Sequence, residues 1–115
     1  MTPDEFRKLA LACPGAVESA HMNHPDFRIN GKIFASLGFP DEARGMVKLT
    51  PEQQSSLARE FPAMFLPCNC AWGRQGATNV VLSLAKSGPV QTALNFAFQN
   101  IAAKARKTPK ASRKS

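Results

Sequence analysis

The chain has 115 residues, 43% of them hydrophobic and 20% charged, with a formal net charge of +7 and a pI near 9.9. This length sets one domain able to bury its own core, and the composition excludes fibrous and low-complexity classes. No stretch approaches the roughly 20 apolar residues that span a bilayer. The opening MTPDEFRKLALA is a polar amphipathic segment carrying acids, without the apolar run of a secretion signal. A soluble, cytoplasmic protein with no membrane partner is expected.

Thr2 followed by Pro3 supplies an N-cap and a first-turn proline, with Asp4 and Glu5 at the positive end of the helix dipole. Phe6, Leu9, Ala10 and Cys13 follow at helical spacing, which predicts an amphipathic helix over 3–12 ended by Pro14-Gly15. From Ala16 to Leu49 the pattern turns to short strands. Asn30-Gly31 is the strongest hairpin signal, because both residues tolerate the positive φ of a type I′ turn. A two-residue turn pairs Ile29 with Lys32 and Phe27 with Phe34. It puts Phe27, Ile29 and Phe34 on one face and Arg28, Ile33, Ala35 and Leu37 on the other. After a turn at residues 38–42, residues Gly45 to Leu49 read as a further strand.

Thr50-Pro51 repeats the cap-plus-proline device and opens a second helix to about Arg59, thin in apolar residues and expected at the surface. Residues 61–67 read as a Pro-bounded apolar connector held down by Phe61 and Phe65, and residues 68–76 as a loop. Thr78–Leu84 alternates at Val80, Leu82 and Leu84 and is predicted as a strand. Gly88-Pro89 then precedes a last helix from Val90 to about Lys104, whose Leu94, Ala97, Phe98 and Ile101 fall on one side. The fold class is α+β, an antiparallel sheet of about five strands with the N- and C-terminal helices on one face. Residues 1–103 form the single domain.

The positive charge is unevenly placed. Residues 104–115 carry Lys104, Arg106, Lys107, Lys110, Arg113 and Lys114 and no acid, whereas residues 1–100 carry nine basic and eight acidic side chains. The tail has too few apolar groups to repay its ordering entropy and reads as a disordered basic segment. Such a segment attracts phosphate backbones without sequence preference, or serves only solubility.

Few arrangements suited to chemistry are present. His21, His24 and Asp26 have metal-ligand chemistry, but Pro25 forbids the helix on which the histidines would converge. Asp26 or His24 is instead expected to bond the backbone at the strand entry. Cys13, Cys68 and Cys70 are an odd count without a second ligand pair, so they read as reduced thiols. Gly73-Arg74-Gln75-Gly76 precedes a strand and not a helix, unlike a phosphate-binding loop. No nucleophile has an evident base, and no pair of acids is placed for glycoside chemistry. The chain therefore reads as non-enzymatic, with no catalytic residues, metal or cofactor.

Three stretches carry a family likeness: the first helix ending at Pro14-Gly15, His24-Pro25-Asp26-Phe27-Arg28 running into Gly31-Lys32-Ile33-Phe34-Ala35, and Val47-Lys48-Leu49 leading into Thr50-Pro51. With Trp72-Gly73 and the strand near Thr78, they resemble the MmcQ/YjbR-like family of small bacterial proteins over residues 3–103. That resemblance implies a frataxin-like α/β sandwich. It also implies DNA binding, a property assigned to the family through a proposed double wing. The wing here is the Asn30-Gly31 turn, flanked by Arg28 and Lys32. Frataxins bind iron on an acidic first helix, and this one sets Arg7 and Lys8 against Asp4 and Glu5.

The leading expectation is a non-enzymatic binding module for DNA. Its contacts are Arg28, Lys32, Lys48 and Arg74, gathered on one strand surface. The alternative is a module for a protein or a small planar or anionic ligand, with a cleft at Trp72 and with His24 and Arg74 as polar anchors. Trp72 itself reads either as a stacking platform or as a core anchor.

Overall fold

In the computed structural model the described residues are 1–21, 24–38, 43–68 and 71–114, with the side chains of His21, Ala71, Trp72 and 104–114 outside the description. The element order is α1 (Pro3–Leu11), β1 (Val17–His21), β2 (His24–Ile29), β3 (Lys32–Leu37), β4 (Arg44–Lys48), α2 (Pro51–Glu60), β5 (Phe65–Pro67), α3 (Ala71–Arg74), β6 (Ala77–Val81) and α4 (Ser87–Lys114). The six strands form one antiparallel sheet in the order β1-β2-β3-β4-β6-β5.

Both Thr-Pro signals act as read. Thr2 Oγ1 accepts from the Glu5 amide while the Glu5 carboxylate accepts from the Thr2 amide, and Thr50 and Gln53 repeat the reciprocal pair on α2. The long helices α1, α2 and α4 all lie on one side of the sheet. Phe6 of α1 packs on Phe27 of β2 with ring centroids 6.3 Å apart and sits against Gly45 of β4. From α4, Val90, Ala93, Leu94 and Ala97 are buried in the same core as Phe27, Phe34, Val47 and Val80. From α2, Leu57 joins the core, and the buried Gln54 amide donates to the Gly73 and Ala77 carbonyls and to Thr78 Oγ1.

The Asn30-Gly31 turn takes the predicted form, with φ +54° and +77°, and Ile29 pairs with Lys32. The next expected pair does not form. A bulge shifts the register between Arg28 and Phe27, so Arg28 pairs with Ile33 while Phe27 pairs with Ala35 and not with Phe34. Phe34 is the extra residue, and Phe34, Ala35 and Leu37 are all buried with Phe27 and Ile29. The expected division of faces is thus corrected: Ala35 and Leu37 join the core side, and only Arg28 and Ile33 stay opposite. The bulge wins because it buries Phe34 and Ala35 together, which strict alternation forbids.

Other boundaries also move. The connector's last residues, Phe65–Pro67, pair with β6 as a sixth, edge strand. The strand expected over Thr78–Leu84 ends at Val81 and passes into a 3-10 turn at Leu82–Leu84, leaving Leu84 52% exposed. The loop at 68–76 contains the four-residue α3. The last helix begins at Ser87 and runs to Lys114, longer than its apolar spacing indicates. No described helix is long and apolar enough to cross a membrane.

Candidate functional site on the helix-free sheet face

Side chains alternate across a strand, so the register assigns every strand residue to one of two faces. One row runs across all six strands on the face away from the long helices: Ser19, Asp26, Ser36, Met46, Asn79 and Leu66. His24 and Arg28 flank Asp26 on that face, and Arg44 and Lys48 flank Met46. Arg28, Arg44 and Lys48 are therefore cations of one surface, and Asp26 is the single acid among its described strand residues.

That acid is already engaged. Asp26 is 2% exposed, and its carboxylate accepts from Arg28 Nε at 2.8 Å and Arg28 Nη2 at 3.1 Å. This is a two-pronged, charge-assisted pair. The bond from the Asp26 carboxylate holds the Arg28 guanidinium above its ordinary pKa, so its charge is permanent. Asp26 thus takes a guanidinium and not the backbone groups expected of it. The chain's other described acids lie elsewhere: Asp4 and Glu5 on α1, Glu52 and Glu60 on α2, and Glu18 of β1 turned to Arg7 of α1 at 3.0 Å.

Asn79 is the unusual polar group of this face. It is 6% exposed, and its side-chain oxygen finds no hydrogen-bond donor among the described residues. A buried amide oxygen in that condition costs free energy, so its place in the row is unexplained by packing alone.

The four expected nucleic-acid contacts do not gather on one surface. Arg28 and Lys48 share the helix-free face, but Lys32 pairs with the buried Ile29 and so belongs to the helix side. Arg74 is exposed at the end of α3, off the strands. Arg44 falls one residue before the strand expected from Gly45 and so escapes the sequence reading; its place two residues before Met46 is the signal that puts it with Lys48. Of the alternative cleft, His24 lies on the helix-free face with its Nδ1 near Gly38, and the Trp72 side chain lies outside the described residues. His21 likewise has no described side chain, and no group of three metal-binding side chains occurs among the described residues.

The glycines near Trp72 have a packing role. A Cβ on Gly73 would stand 1.8 Å from the Cys68 carbonyl oxygen, and one on Gly76, at φ +111°, 1.8 Å from that of Leu49. Backbone meets backbone there, and no phosphate cradle is formed.

The fold is similar to that of the crystal structure of protein DR2400 of Deinococcus radiodurans, a protein with a DUF419 family-model domain. The TM-score is 0.73 at 16% identity, over 90% of this chain and 80% of that one. At such identity the likeness is one of fold. The YjbR family model matches residues 11–99. The chain belongs to the YjbR family. The match runs from the end of α1 into α4 and so contains the whole helix-free face. No curated protein matches the chain.

Proposed function

We propose that this YjbR-family protein is a non-enzymatic module that binds nucleic acid through its phosphates, without sequence preference, on the helix-free face of the sheet. The observation that supports this reading is the charge of that face among the described strand residues: Arg28, Arg44 and Lys48 against one acid, Asp26, which is buried and paired. Polyphosphate affinity needs fixed cations on one surface and no competing exposed carboxylate. The described strand residues of that face include no Phe or Trp, which favours contact with phosphates over base stacking there. The basic segment after Ala103 adds to the same attraction.

The test is fluorescence anisotropy of a labelled duplex with the full chain and with the double variant Arg44→Glu/Lys48→Glu. Two to three phosphate contacts predict that affinity falls about 10- to 40-fold between 50 and 200 mM salt. The double variant should lose most of that affinity at the lower salt. Binding unchanged by the two reversals would remove the face from the interaction and leave the C-terminal basic segment as its only support.

A further inference from the structure

The two edges of the sheet are built differently. The β5 edge is three residues long and ends in Pro67, which has no amide hydrogen to offer a neighbour. The β1 edge is five residues long, with no proline and no lysine, and Val17, Glu18, Ser19 and Ala20 are all exposed.

Which backbone groups β1 leaves unpaired follows from the register. The two-residue turn at Asn30-Gly31 makes Ile29 and Lys32 a mutually hydrogen-bonded pair. Successive residues of a strand direct their N–H and C=O to opposite sides, so Arg28 of β2 directs its own toward β1. Arg28 pairs with Val17 and Asp26 with Ser19, so Val17 and Ser19 bond inward. Glu18 and Ala20 then direct their N–H and C=O outward, and neither has another backbone bond among the described residues.

We infer that this edge pairs with the β1 edge of a second copy of the chain, antiparallel and centred on Ser19. In that register Glu18 of each copy lies opposite Ala20 of the other, and the two exchange both backbone bonds. Four hydrogen bonds join the copies, and Val17 meets the opposite His21. No like charges face one another across the seam, as they would if Glu18 met Glu18. The small Ala20 also leaves room for the Arg7 side chain, which reaches over the edge to Glu18. The self-complementary pattern is what favours a second copy over an unrelated extended peptide. The paired sheets would carry their helix-free faces side by side, but the inference stands without nucleic acid, and its test contains none.

The test is sedimentation equilibrium of the full chain in moderate salt, which screens the net positive charge. A seam of this small size implies dissociation on the order of 0.1 mM. Ala20→Pro removes an outward N–H at an edge position that tolerates proline, so its circular dichroism should stay native while it sediments as a monomer. Ala20→Glu sets like charges across the seam twice and should weaken pairing about tenfold, and Ala20→Lys sets opposite charges and should tighten it. A chain still monomeric near 1 mM would overturn the inference. So would a dimer indifferent to the proline and to the sign of the charge at position 20.

Discussion

Asp26 and Arg28, two residues apart on β2, close a bidentate ion pair on the helix-free face, with the carboxylate side chain 3% exposed and the guanidinium 30% exposed. The asymmetry fixes the order of two variants. Removing the guanidinium leaves a buried carboxylate without its partner, whereas removing both leaves no charge to satisfy. Arg28→Ala should therefore lower the urea midpoint more than Asp26→Ala/Arg28→Ala does. Equal midpoints would mean that water satisfies Asp26 without Arg28.

Asn79 tests the opposite case. Its side-chain oxygen is buried without a donor among the described residues, so replacing the amide by a hydrocarbon of similar shape removes a desolvation cost. Asn79→Leu should raise stability by about 1 kcal/mol in urea unfolding. A loss of stability would show that the amide has a partner in solution.

The close approaches at Gly73 and Gly76 predict large losses. Gly76→Ala places a methyl inside the Leu49 carbonyl at a positive φ and should cost about 2–4 kcal/mol, detaching the turn before β6. Gly31→Ala, where a Cβ meets nothing within 4 Å, suffers only from its φ of +77° and should cost about 1 kcal/mol. Thermal melts of the two variants should rank them in that order.

Acid should loosen the start of α1. The bonds to Thr2, its backbone amide foremost, hold the Glu5 carboxyl below its ordinary pKa. A group whose folded pKa is depressed stabilises above its unfolded pKa and loses that contribution as pH falls through the folded value. Between neutral pH and acid, the native chain should lose more stability than Glu5→Gln, which retains an acceptor for the Thr2 amide without titrating. Parallel pH profiles for the two would contradict the capping role.

The burial of Cys13 pushes its thiol pKa up, while Cys68 is half-buried. Alkylation of the native protein at neutral pH should spare Cys13 and label it only after unfolding. Mass mapping of the labelled peptides decides the point.

Local signals proved legible because their physics is local. Thr2-Pro3, Thr50-Pro51 and Asn30-Gly31 dictate backbone geometry within four residues, and each formed as read. The spacing of Leu94 and Ala97 likewise placed α4 on the sheet. What was not legible depends on partners distant in the chain. The bulge at Phe34 exists because the core has room for Phe34 and Ala35 together, which no periodicity of β3 contains. Phe65–Pro67 is a strand only because β6 offers it an edge. The expected contacts divide between faces for the same reason: Arg28 and Lys32 part to opposite faces, and Arg28 joins Arg44 and Lys48 only through the assembled sheet.

The confinement of the long helices to one side of the sheet has a further consequence, for how this protein tolerates change. Along β4, Gly45 lies against Phe6 and Val47 is buried in the core, while Arg44, Met46 and Lys48 alternate with them on the helix-free face. A saturation scan of β4 scored for stability alone would read as stripes, intolerant and permissive by turns. The permissive stripe is the one that carries charge, so surface chemistry can be rewritten there one position at a time without disturbing the core beneath.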